Sequence, residues 1–283
     1  FFFFFFFFFC FFLLLLPLLS FSWFHLLLTG RPSPASPMSK LIAYLSNLPG
    51  DEHPKLHYFD IRGRAEAIRI ALADQGLEYE DSSFSSEEWG RDSPDGLKAS
   101  WTAEKKLMFG QVPMLEDPSN GLFLVQSHAI LRYLAATHGW YEDVEPKTLA
   151  LADAAAEGTE DMRKQLTTIK YDNALSAEEK EGKYEAWFED PSKGGTWFSF
   201  FEALLPSPDG SASAEQASYL AGAQTPTHAD YLLFDLLEAA EGLHPTAATK
   251  LMASFKALPV WRTTMASRPN IAAYLESTKR RAA

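Results

Sequence analysis

Apolar residues follow three successive patterns along this chain. Residues 1–28 run almost unbroken through Phe and Leu with no Asp, Glu, Lys or Arg, residues 55–139 alternate short apolar runs with helix-period segments, and residues 148–283 keep a helical period throughout. The middle pattern opens on KLHYF, a strand-like run that delivers Tyr58 to its end. Asp60 and Gly63 mark a turn, residues 64–75 then read as a helix without proline, and Gly76 stands where a residue past a helix end takes positive φ. Strands follow at residues 77–81, 112–117 and 122–126, with a possible helix in the loop before the second, and a further helix at residues 127–139. The order predicts a βαβ unit and then a ββα unit. Pro118, Asn120 and Gly121 between the last two strands form a hairpin turn signal, which makes those strands antiparallel neighbours.

Residues 140–147 are acidic, poor in apolar positions and carry Pro146, as linkers do. Beyond them, residues 149–173 read as one long helix, with Glu157, Glu160, Asp161, Arg163 and Lys164 along its polar side. Residues 227–243 read as another: Thr227 followed by Asp230 makes a capping box with Asp in the Glu place, and Tyr231, Leu232, Leu233, Leu236 and Leu237 supply a buried face. The first pattern belongs to neither unit. By length it is a membrane-span candidate, about 42 Å as a helix at about 1.5 Å per residue. Nine consecutive Phe, Pro17 and the lack of a positive leading region argue for a low-complexity leader instead, followed by the loop-like RPSPASP, with Met38 as the expected start. We therefore divide the chain into a leader at 1–37 outside the folded protein, a first domain at 53–139 and an all-helical second domain at 148–283.

Composition narrows the function. The chain of 283 residues has a formal net charge of −12, which disfavours nucleic acid or an anionic membrane as partner. Cys10 is the only cysteine and lies in the leader, so the domains carry no disulfide, thiolate metal site, CxxC dithiol or nucleophilic thiol. His25, His53, His57, His128, His138, His228 and His244 show no metal spacing. No metal or cofactor is expected.

Three places carry candidate chemistry. A phenol at the end of a strand, as at Tyr58, can hydrogen-bond a bound thiolate, although by itself such a ring is more often a packing group. Gln111-Val112-Pro113 precedes a strand, and its proline predicts a rigid or cis turn that leaves the Val112 main chain open to an added peptide. Val125-Gln126-Ser127 ends a strand and starts a helix, with Ser127 predicted as N-cap, where free N–H groups favour a carboxylate.

In combination, YFDIRGRAEAIRIALADQG, LKAS, MFGQVPMLED, LFLVQSHAILRYLA, TEDMR and THADYLLFDLLE resemble the cytosolic glutathione transferases of the tyrosine type, nearest the alpha, mu, pi and sigma group, over residues 55–280. The resemblance implies an α/β thioredoxin-like N-terminal domain that binds glutathione, then an all-α C-terminal domain that shapes the second-substrate site. It implies that the Tyr58 hydroxyl donates to the glutathione sulfur, with Arg64 supporting the tyrosine. Val112 would pair with the cysteinyl part before a cis Pro113, Gln126 and Ser127 would take the γ-glutamyl end, and Trp89, Lys98 and Gln111 would hold the remainder. Asp161 would reach the γ-glutamyl amino group across a homodimer interface, Phe109 would insert into the partner subunit, and Tyr171 would line the acceptor pocket. The segment between Gly90 and Gly96 is longer than its pi-type counterpart.

The function so implied is conjugation of the glutathione thiolate, as co-substrate, to hydrophobic electrophiles in the cytoplasm. A glutathione-dependent isomerase or peroxidase would use the same site. A noncatalytic carrier or structural protein of this fold is the alternative from another class.

Overall fold

The computed structural model of the chain describes residues 53–142, 144–206 and 219–282. The leader at 1–37 and the expected start at Met38 lie outside the described residues. A four-stranded sheet is built from β1 (Lys55–Phe59), β2 (Glu80–Phe84), β3 (Met114–Asp117) and β4 (Leu122–Val125), in the order β2-β1-β3-β4. β1 and β2 are parallel, which requires a crossover, and α1 (Glu66–Asp74) supplies it. β3 runs antiparallel to β4, as the turn residues before Leu122 predict, and antiparallel to β1 as well.

Several predicted boundaries move. The helix expected over 64–75 begins with a short 3-10 turn at Gly63–Ala65, and Gly76 follows its end with φ +65° as expected. The strand expected at 77–81 lies instead at Glu80–Phe84. Leu77 N–H still bonds back to Leu72 O (2.9 Å), extending the helix exit, and the pairing of Lys55 with Glu80 sets where the ladder starts. The loop contains two short helices, α2 (Ser86–Trp89) and α3 (Leu97–Ala103). α4 (Ser127–Thr137) closes the unit, and Gln126, not Ser127, is its N-cap, with φ +77°, while Ser127 is the first helical residue. The cause lies in the backbone: the sharp reversal from β4 into the helix falls on Gln126, so Ser127 already belongs to the helix.

The described residues beyond position 145 are mostly helical. α5 (Pro146–Lys170) starts with proline at the first turn, where no N–H is needed, so the linker is shorter than its composition suggests. α6 (Ala177–Glu189), α7 (Thr196–Ala203), α8 (His228–Leu243), α9 (Pro245–Met252), α10 (Ala257–Ala266) and α11 (Pro269–Glu276) complete it. α8 is the central rod, buried from His228 to Leu237 and packed on both α5 and α1. One core runs from Leu56, Ile68 and Ile70 through Ile130 to Met162, Leu233 and Trp261, while Phe84, Trp89, Leu107, Met114 and Val125 form a second cluster on the other sheet face. No helix among the described residues is long and apolar enough to cross a membrane.

Candidate active site

The sheet register gathers the chemistry at one edge. His57 pairs with Met114 and Met114 with Val125, so Tyr58, Pro113 and Gln126 stand next to those pairs, at the same end of three adjacent strands. Tyr58 also pairs with Ser83 near the end of β2, from which the chain turns into α2 and Trp89. Strand ends that face one edge, with helix N-termini beside them, are where open α/β sheets bind ligands.

Tyr58 is 7% exposed, and its phenolic oxygen accepts the Arg64 N–H at 3.1 Å. Burial pushes the phenol above its ordinary pKa, and the Arg64 N–H and guanidinium oppose this only in part. The group therefore stays protonated near neutrality. Its oxygen is already engaged as an acceptor, which leaves its own proton to donate outward.

Arg64 does its second job with its side chain. The guanidinium grips Glu160 of α5 through two hydrogen bonds, 2.7 and 2.9 Å, joining the β1–α1 turn to the helical half. The bonds to Glu160 raise the Arg64 pKa. Burial alone would raise the Glu160 carboxyl, but the Arg64 bonds and charge hold it below the usual range. In the sequence Glu160 is one polar position among several on the long helix, next to Asp161 in TEDMR, and among the described residues it is the acidic partner of Arg64. Gly63 is the other unexpected participant: at φ +46°, a Cβ there would lie 2.7 Å from both the Tyr58 ring and its hydroxyl.

The Val112-Pro113 peptide is cis, and β3 begins only at Met114, so the Val112 main chain stands ahead of the ladder. Gln126 is exposed and Ser127 buried at the start of α4, where the first intrahelical bond runs from Ile130 N–H to Gln126 O and the preceding N–H groups point outward. Trp89 is mostly a core ring, stacked on Phe84 at 5.5 Å, yet its indole N–H makes no hydrogen bond among the described residues. Gly90 and Gly96 pack backbone to backbone, a Cβ on Gly96 meeting Gly90 Cα at 2.7 Å. The segment between them is thus pinched at its base. The methylenes of Lys98 approach Gly110, next to Gln111.

Asp161 and Phe109 are not drawn into this edge. Asp161 is exposed on α5 and pairs with Lys164 at 3.1 Å. Phe109 is 62% exposed beside Met108, which is 70% exposed, on the α3–β3 loop. Tyr171 follows α5, is 68% exposed, and lies near enough to Tyr58 and Arg64 to act on their ionisation.

Comparison with known proteins is consistent across both halves. The family model "Glutathione S-transferase, N-terminal domain" matches residues 54–136, and its C-terminal counterpart matches residues 160–278. Glutathione S-transferase P 1 of Xenopus laevis is 31% identical over 227 residues, 80% of this chain and 92% of its own length. Glutathione S-transferase A2 of Homo sapiens is 33% identical over 227 residues, 80% of this chain and 89% of its own. The solved structure of the Onchocerca volvulus Pi-class glutathione S-transferase superposes with a TM-score of 0.61 at 27% identity, covering 80% of this chain and 93% of that one. Sheet order, helical half and sequence agree, and the chain belongs to the glutathione S-transferase family of enzymes.

Proposed function

We propose that this protein conjugates glutathione to hydrophobic electrophiles, with Tyr58 holding the sulfur as thiolate. The observation that carries the proposal is the Tyr58 hydroxyl, kept protonated by burial and aimed by the Arg64 N–H at 3.1 Å. A donor in a fixed position favours RS⁻ over RSH, so the thiol gives its proton to water and the nucleophile is populated near neutral pH. The thiolate then attacks the electrophilic carbon, the S–C bond forms, and the leaving group departs with its electron pair. Fixing both reactants side by side supplies the rest of the acceleration.

In this proposal the tripeptide lies along the open edge. Val112 pairs through its main chain, Gln126 and Ser127 take the γ-glutamyl carboxylate at the α4 N-terminus, Trp89 and Lys98 take the glycyl carboxylate, and the Gln111 side chain contacts the tripeptide. Phe109 meets a second copy of the chain, whose Asp161 completes the γ-glutamyl contacts, and Tyr171 faces the electrophile.

Conjugation of a chloronitrobenzene with glutathione tests this. Loss of one hydrogen bond to a charged sulfur is expected to lower kcat/KM of Tyr58→Phe about 10- to 100-fold with little change in the KM for glutathione. Equal rates in the two proteins, or no conjugation by the native one, would overturn it.

A further inference from the structure

The turn that holds Tyr58 is fixed from two sides. From within, fully buried Arg69 donates Nη1 to the carbonyl oxygens of Ile61 (2.9 Å) and Arg62 (3.2 Å), and its Nε to Asp81 (3.0 Å). From outside, the segment that follows α11 comes back across the sheet end. Ala282 O accepts the Arg62 N–H at 3.0 Å, and Arg281 O accepts the Arg62 Nε–H at 2.9 Å. The Arg281 guanidinium then spans two carboxylates, Asp60 at 2.7 Å and Asp81 at 3.2 Å. Asp81 is shared, because the same oxygen accepts from Arg69. Arg280 adds an ion pair to buried Glu66 at the start of α1.

We propose that Arg281 and Ala282 form a strap that fixes the Asp60–Arg64 turn and thereby aims the Tyr58 hydroxyl. Arg281 is a positioning residue, and its effect reaches the reaction through the Arg64 N–H. The geometry of the turn makes this necessary. Gly63 holds positive φ with no side chain to lock it, Ile61 is exposed, and the outer face of Arg62 has its main-chain and side-chain partners in the strap. A turn held on one face alone opens locally more easily, and misplacement of a catalytic group by about 1 Å can cost about 100-fold in rate. The Arg281 pairs are partly exposed, so their loss takes little from global stability.

The catalytic part of this proposal rests on the thiolate role of Tyr58, so the test has two readouts. The first, hydrogen exchange by NMR on the full chain without glutathione, follows the Arg64 amide, whose acceptor is the Tyr58 oxygen. In Arg281→Ala that amide is expected to exchange about tenfold faster, with Ile70 and Leu72 in α1 unchanged, and Arg281→Lys is expected to recover part of the protection. Unchanged exchange at Arg64, or an equal rise at Arg64 and in α1, would overturn the strap. The second readout is the ultraviolet absorbance of bound glutathione thiolate against pH. In Arg281→Ala its midpoint is expected to move up by about half a unit or more while the KM for glutathione holds. A loosened Arg64 amide with an unmoved midpoint would overturn the link to Tyr58. A loosened amide with no thiolate signal even in the native protein would keep the strap and remove the functional reading instead.

Discussion

Gly63 and Tyr58 compete for one volume, and the contest decides what the tyrosine can do. A Cβ at position 63 would meet the Tyr58 ring and hydroxyl at 2.7 Å, and the residue also holds φ +46°. Gly63→Ala is therefore expected to lower stability by about 1–3 kcal/mol and to cut conjugation by about tenfold or more through a displaced phenol, measured by chemical denaturation and steady-state kinetics. In the sequence Gly63 is a turn signal, and Tyr58 is a strand-end ring whose catalytic role rests on the resemblance of its motif. What the fold adds is the hydrogen bond from the Arg64 N–H to the Tyr58 oxygen, a fact of turn geometry that residue identity does not specify.

Among the elements, α8 shows how a short-range signal can conceal a long-range one. Thr227 and Asp230 are readable as a capping box, and the Asp230 carboxylate does accept the Thr227 N–H at 2.8 Å and its hydroxyl at 2.9 Å. The same carboxylate also accepts Leu220 N–H and Trp261 Nε1–H, both at 2.9 Å, which ties the chain before α8 and α10 to the helix start. Burial pushes its pKa up while these four donors oppose the shift. Asp230→Ala strips buried N–H groups of their partner, and an unfolding free energy lower by about 3 kcal/mol or more is expected in a urea titration. β2 failed to appear where expected for a related reason. Its residues are mostly polar and only part-buried, so its place is set by pairing to β1 and not by its own pattern.

For the whole molecule, polar contacts across the two halves matter more than net charge. Asp74 of α1 accepts from Tyr231 at 2.7 Å and Arg268 at 2.8 Å, and Glu66 accepts from Tyr274 and Arg280, so the sheet unit is seated on the helices by satisfied buried groups. A second junction has a pH signature. His228, 1% exposed, has Nδ1 at 2.6 Å from the Tyr141 hydroxyl and Nε2 at 3.0 Å from Asp153, which also pairs with Arg132. Burial lowers its pKa to about 4, against the raising pull of Asp153. Because the unfolded chain takes up the proton near its ordinary value and the folded one does not, stability is full above that value. It falls as pH drops towards 4, by roughly 3 kcal/mol in all. Urea unfolding of native protein and His228→Phe at pH 7 and pH 4.5 measures it, and the acid loss is expected to be smaller in the variant. Legible in the chain alone were the alternation of strand and helix over residues 55–139, the antiparallel hairpin and the long helix α5, because local periodicity and turn chemistry act over a few residues, while the family was legible through the resemblance of its motifs. The meeting of the strand ends, the pairing of Glu160 with Arg64 and the return of Arg281 to the turn at Asp60 arise only in the folded molecule. Those contacts join positions far apart in the chain, and nothing in the local pattern of either partner encodes the other.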